Sequence, residues 1–358
     1  MRAPRDELIS AACLLAGGVT GRLASRQDTV PPPNPRIVML RRLALGDVLQ
    51  STAALAALRR RYPLAAIDYA TSPYAAAALE GNPDVSNLIP PTLAALRAGQ
   101  YDVAVVLERS PLAGMLAWLA GIPLRVGPNS GGRGFACNLP VAVRPERSEA
   151  ELMLDCAAAL DVSVEDAGPR FLPGADAQAR VAALLGSQHR WLAVAPGGGL
   201  NPGMHLVSKR WLPERFAAVA SALAASDGLR PVLVGGPDDV PVCSAVEWLA
   251  KAPVVNLCGH TSFQEMGAVI QAAELFVGND SAPLHLAAAV GTPHVGIYGP
   301  SDPVRHRPLG AGEVVAAPIS RKLYEAGFAD VDCIGQVSVD DVLAACRRVL
   351  AARALSAA

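Results

Sequence analysis

The chain has 358 residues, 51% of them hydrophobic, a length that exceeds one ordinary core and predicts about two domains. Lys and Arg total 31 against 32 Asp and Glu, a net charge of -1 that argues against a nucleic-acid partner. Seven cysteines, at 13, 137, 156, 243, 258, 333 and 346, form no C-x-x-C pair and read as reduced thiols of a cytosolic protein, not a disulfide framework or zinc site.

At the N-terminus the apolar run from Leu8 to Val19 is too short to span a bilayer, and Asp6 and Glu7 stand where a signal peptide needs positive charge. Residues 1–34 end in Pro31-Pro32-Pro33 and read as an appended helix and stiff linker. From residue 35, strands and helices alternate. Strands are predicted at Arg36–Leu40, Ala66–Ala70 and Tyr101–Leu107, and helices at Val48–Tyr62 and Glu149–Leu160. A break follows around Gly168, Pro169, Pro173 and Gly174. The alternation restarts with strands at Leu192–Ala195, Pro231–Val234, Val254–Leu257, Leu275–Val277 and His294–Ile297. Helices are predicted at Pro213–Ala225, Ser262–Ala273 and Val339–Ala352. Two successive βα arrays predict an α/β fold of two Rossmann-like, doubly wound domains facing each other across a cleft. In such sheets ligands gather at the carboxyl ends of strands, so the strand-to-helix turns are where chemistry is expected.

Four turns carry suitable residues. After the first strand, Gly46 permits a tight turn and Asp47 opens a helix, either as its N-cap or as a general base. Gly197-Gly198-Gly199 allows close backbone approach by a ligand, and Lys209 offers a point charge for phosphate, although a lone lysine is commonly solvated. Asp238, in Gly235-Gly236-Pro237-Asp238-Asp239, either accepts ribose hydroxyls or caps the next helix. Gly278-Asn279-Asp280-Ser281-Ala282-Pro283 leads into a helix containing His285, with Asp280 or Ser281 suited to the N-cap and the helix start suited to phosphate. Alternatively those residues only cap the helix and His285 only packs. Neither a P-loop nor a G-x-G-x-x-G fingerprint after the first strand is present, which weakens an oxidoreductase reading.

Taken in order, these segments resemble glycosyltransferase family 9, the lipopolysaccharide heptosyltransferases. The resemblance runs from Arg36 to about Ala351. It rests on Leu-Gly-Asp-Val at 45–48 with Thr52, Lys-Arg-Trp at 209–211 with Glu214 and Phe216, Gly-Asn-Asp-Ser at 278–281 with His285, and Tyr-Gly-Pro-Ser-Asp-Pro at 298–303. Asn82-Pro83-Asp84-Val85 adds to it. The chain departs from the family at Ala282, where glycine is usual, at Leu43 and Ala44, and at Ala53.

The resemblance implies a GT-B fold with residues 35–174 as an acceptor domain, 175–337 as a nucleotide-sugar donor domain and 338–358 as a helix packing back on the body. It implies inverting transfer of a sugar, heptose from ADP-heptose in this family, to a lipopolysaccharide core or related glycan, with no cofactor and no bound metal. Asp47 would be the base and Lys209 the donor-phosphate lysine. Gly197, Gly198, Gly199, Asp238, Asn279, Asp280, Ser281, Ala282 and His285 would line the donor, and Gly46, Arg41 and Arg42 the acceptor side. A family member with another nucleotide-sugar donor, and a non-catalytic nucleotide-sugar-binding protein, are the alternatives. The partners implied are a nucleotide sugar and a glycolipid or oligosaccharide acceptor, in the cytoplasm. The basic run Arg59-Arg60-Arg61 is either a solvated helix face or a contact with the inner membrane.

Overall fold

A computed structural model describes residues 9, 10, 12, 13, 15, 31–201, 204–319, 321, 322 and 332–357. Most of the predicted N-terminal extension lies outside these residues. The chain divides into two compact units, Met1–Pro169 and Arg170–Ala358.

In the first unit, β1 (Arg36–Leu40), β2 (Ala66–Ala70), β3 (Asn87–Ile89), β4 (Val103–Val106), β5 (Leu124–Asn129) and β6 (Leu139–Ala142) form one sheet. Its order is β3-β2-β1-β4-β5-β6, and every pairing is parallel. β1 and β4 are apolar and almost wholly buried, as parallel strands covered on both faces must be. Helix Leu45–Arg61 connects β1 to β2, and helix Pro111–Leu119 connects β4 to β5. Local chemistry sets several helix starts: Ser110 caps the second of these, with Pro111 at its first turn, and Ser148 with Glu151 forms a capping box on helix Glu149–Ala158.

The second unit repeats the plan. Its strands are β7 (Arg190–Ala195), a short antiparallel pair β8 (Leu200–Asn201) and β9 (Met204–His205), then β10 (Leu229–Leu233), β11 (Val255–Asn256), β12 (Leu275–Asn279), β13 (His294–Tyr298) and β14 (Gly312–Ala316). The main sheet runs β11-β10-β7-β12-β13-β14, again all parallel. Both units therefore have the doubly wound 3-2-1-4-5-6 order, whose direction reverses between β1 and β4 in one and between β7 and β12 in the other. Helix Pro213–Asp227 ends on Gly228 at φ 66°, a left-handed C-cap. The terminal helix Val339–Ala357 packs on this unit, with Val342, Ala345, Cys346 and Val349 in its core beside Leu223 and Val295.

Two boundaries differ from expectation in ways that matter. The first helix begins at Leu45, so Gly46 and Asp47 lie inside its first turn instead of before it. β12 continues through Gly278 and Asn279, which pair with Gly296 and Ile297 of β13, so Asn279 belongs to the sheet and not to the turn.

Candidate functional site

Each unit gathers polar residues at the carboxyl ends of its two switch-point strands. In the first, Arg41 and Arg42 follow β1, and Glu108 and Arg109 follow β4. The Asp47 carboxylate is paired with Arg41, whose Nη1 also donates to the Leu107 carbonyl at 3.1 Å. Burial would lower the Arg41 pKa, but the carboxylates of Asp47, Glu108 and Glu149 outweigh it and hold the guanidinium charged. Arg42 grips Glu108 through its backbone N–H at 3.1 Å and its Nε at 2.7 Å, and reaches Ser110 Oγ at 3.2 Å. Arg109 pairs with Glu149 at 2.8 Å.

Asp47 does not cap its helix. The N-cap residue is Ala44, which has φ 69° and makes no side-chain cap bond. The tight turn expected at Gly46 is thus made at Ala44, an L-residue in a region that disfavours a Cβ. Such a conformation costs about 1–3 kcal/mol and persists only where surrounding contacts dictate it. Arg41 and Arg42, expected to face an acceptor, are both engaged by carboxylates. Arg59 donates to the carbonyls of Pro63, Ala65 and Asp84, so one member of the basic run is structural.

In the second unit Lys209 closes a 3-10 turn, Val207–Lys209, and its Nζ lies 2.7 Å from Asp280 Oδ2. Lys209 is only 17% exposed and Asp280 5%. Burial alone would raise the Asp280 carboxyl, but the Lys209 ammonium, helped by His306 and His285, holds it well below the usual carboxylate range. His285 Nε2 is 4.0 Å from the other Asp280 oxygen. Ser281 occupies the N-cap of helix Ala282–Ala289 without a cap bond; its hydroxyl donates to the Asn279 carbonyl at 3.2 Å. Neither Asp280 nor Ser281 is therefore a simple cap.

Gly198 and Gly199 have φ of 104° and 76°, and a Cβ on either would collide with Ser281 or with the Leu206 carbonyl. Only glycine lets this loop lie against the helix start. Asn279, expected to touch the donor, is completely buried. Its Oδ1 accepts from Trp211 N at 3.0 Å and its Nδ2 donates to the Pro196 and Gly197 carbonyls at 2.9 and 3.0 Å. It ties the glycine loop to the segment that carries Lys209. Trp211 is buried against Phe216, edge to face at 5.1 Å, and its indole N–H donates to the Val337 carbonyl at 3.0 Å. Asp238 is exposed. Its neighbour Asp239, not singled out from the sequence, makes the bonds: it accepts from Gly198 N, Gly236 N and Arg210. Asp302 caps helix Pro303–His306, and the Tyr298 hydroxyl donates to the His306 carbonyl at 3.0 Å.

Glu108, Arg109 and Glu149 were given no site role from the sequence, and Arg210 and Asp239 stood in quoted motifs with no role of their own. Glu108 had a signal, since it directly follows a strand as Arg41 does. Among the described residues no group of three or more His, Cys, Asp or Glu is placed to hold a metal ion, and no helix is long and apolar enough to cross a membrane.

Comparison with known proteins extends this picture. The chain is 28% identical over 292 residues to lipopolysaccharide heptosyltransferase 3 of Escherichia coli, covering 74% of this chain and 83% of that protein. Its fold is similar to a glycosyl transferase family 9 structure from Veillonella parvula, with TM-score 0.72 and 22% identity over 89% of this chain and 97% of the other. An Escherichia coli ADP-heptose lipopolysaccharide heptosyltransferase II gives TM-score 0.70 and 24% identity over 89% and 99% of the two chains. These likenesses show the GT-B fold of two Rossmann-like domains. The sequence profile of glycosyltransferase family 9 (heptosyltransferase) matches residues 92–323, more than half of the sequence. The chain belongs to glycosyltransferase family 9.

Proposed function

We propose that this glycosyltransferase moves heptose from ADP-heptose to a lipopolysaccharide core or related glycan acceptor, inverting the anomeric centre. The observation that carries the donor half is the pair between Asp280, directly after β12, and Lys209, at the end of the segment that follows β7, beside a loop that only glycines can form. A diphosphate placed there meets a fixed ammonium and the positive end of helix Ala282–Ala289. Both stabilise negative charge that grows on the leaving diphosphate, and neither must reorganise during the reaction. Gly197, Gly198, Gly199, Ser281, Ala282 and His285 would surround the donor, with the exposed Asp238 available to its ribose.

Asp47 would be the general base. It takes the acceptor hydroxyl proton as the new C–O bond forms and the bond to the diphosphate breaks. Arg41 fixes the carboxylate for that step. The names of similar proteins support ADP-heptose as donor and lipopolysaccharide as acceptor. We place the enzyme in the cytoplasm, meeting the inner membrane through the exposed Arg60 and Arg61. Reversing those two charges should weaken recruitment to anionic vesicles; equal recruitment of variant and parent would remove the membrane contact.

Calorimetric titration with ADP, UDP, GDP and CMP, on the parent and on Lys209→Ala, tests the donor assignment. Selective ADP uptake that weakens in the variant is the expected result. Selective uptake of another nucleotide would replace ADP-heptose by a different donor, and no uptake at all would overturn the transferase reading.

A further inference from the structure

Asp239 stands where three segments of the second unit meet. Its Oδ1 accepts from the Gly198 N–H at 3.0 Å and from Arg210 Nη2 at 2.9 Å, and its Oδ2 accepts from the Gly236 N–H at 3.1 Å. Arg210 closes the ring by donating from Nε to the Gly198 carbonyl at 2.8 Å. Gly198 is therefore held from both sides, its N–H by the carboxylate and its C=O by the guanidinium. Both partners are largely buried, at 15% and 18% exposure. Room for the carboxylate comes from two glycines. A Cβ on Gly197 would overlap the Asp239 carboxylate, and one on Gly235 would stand 2.9 Å from the Asp239 Cβ.

We propose that Asp239 and Arg210 are a positioning pair that locks the Gly197–Gly199 loop and, through the chain next to Arg210, the Lys209 ammonium, into the form that receives the donor diphosphate. The proposal rests on the donor-site reading above. One carboxylate joins the turns after β7 and β10 to the segment carrying Lys209, so these parts set one another's place. Charge-assisted bonds of this kind are shorter and stronger than neutral ones, and they hold a loop whose backbone no Cβ contact can steady. Neither residue needs to touch the donor for its removal to be felt.

The test uses the full chain with 15N-glycine, as parent, Asp239→Ala, Arg210→Ala, the double variant and Asp239→Asn. Amide exchange at Gly198 should quicken at least about tenfold in Asp239→Ala, while the amides of Gly278 and Gly296 in the sheet stay as they are. Asparagine can still accept from Gly198 through its carbonyl, but its NH2 would face the Gly236 N–H. Asp239→Asn should therefore free Gly236 more than Gly198. ADP titration should show Kd raised about tenfold in each single variant and no further in the double, because the two act as one unit. A general loss of folded protein would lower the number of sites titrated, not Kd. Unchanged exchange at Gly198 in Asp239→Ala, or losses in ADP affinity that multiply in the double variant, would overturn the pair. A parent that takes up no ADP would sink the donor assignment instead, and the exchange experiment would still decide whether the loop is locked as described.

Discussion

Between β1 and β4, the first unit answers its switch point with side chains: Arg41 on Asp47, Arg42 on Glu108 and Arg109 on Glu149. Between β7 and β12, the second unit answers the same topology with backbone. Three glycines clear the space, Lys209 pairs with Asp280 beside them, and Arg210 with Asp239 grips the loop itself. A sheet order thus fixes where polar groups meet without fixing what they are. In the first unit each carboxylate is oriented by an arginine. In the second, glycines bring the main chain close, and the side chains beside it, Arg210 and Asp239, are spent on holding that loop.

Replacing Asp47 by Asn should break the comparison most sharply. Asparagine keeps an acceptor for Arg41 but cannot take a proton, so kcat should fall about 10²- to 10⁴-fold. ADP affinity, measured in the same samples, should not change; a loss there would mean that the first cluster does not act separately from the second.

Lys209→Ala should act in the opposite sense, lowering ADP affinity about 10- to 100-fold by loss of a charged hydrogen-bond partner. It also strands a buried carboxylate. In the parent the Asp280 pKa is depressed in the fold, so its contribution to stability is complete above the unfolded carboxylate value, about 4, and is lost as pH falls below it. Without Lys209, burial pushes that carboxyl upward, and a carboxyl raised in the fold costs stability as pH rises through its titration instead of adding it. Denaturant unfolding at a series of pH values should show the parent gaining stability as pH rises towards its plateau while the variant gains less or weakens over the same range. Coincident pH profiles would mean that the ion pair does not set the Asp280 charge.

Glu108→Ala removes the partner of a half-buried arginine and should cost about 2–3 kcal/mol in urea unfolding, with little effect on ADP uptake. The smallest effect is expected from Ala44→Gly. Glycine relieves the positive φ at about 1–3 kcal/mol but gives back about 0.5–1 kcal/mol in unfolded-state freedom, a modest net gain in stability. If the strained turn aims Asp47, kcat should fall while stability rises.

The strand-to-helix turns were legible because β-strands announce themselves by apolar runs and the doubly wound plan puts chemistry at their ends. β1 and β2 were placed to the residue, and Lys209 and Asp280 were both singled out. That they bond each other was not legible, since the partners are 71 residues apart. The same distance in sequence hid Glu108 from Arg42, 66 residues away, and Asp239 from Gly198, 41 away. Local signals misled at two places. Gly46 advertises a turn that Ala44 makes, because the helix starts earlier than its apolar face suggests. Asn279 has the composition of a turn residue, yet the sheet claims it, since pairing with β13 continues two residues past the last apolar side chain.

The bond from the Trp211 indole to the Val337 carbonyl spans 126 residues and ties the root of the terminal helix to the segment that carries Lys209. On the donor site proposed above, strain on that tether should reach nucleotide affinity. Proteolytic clipping before Val337, or bulky tags that pull on it, would register as weaker donor uptake before any change in the chemistry. Selection for altered nucleotide preference should accordingly return substitutions around residues 335–342 as well as at the turns themselves.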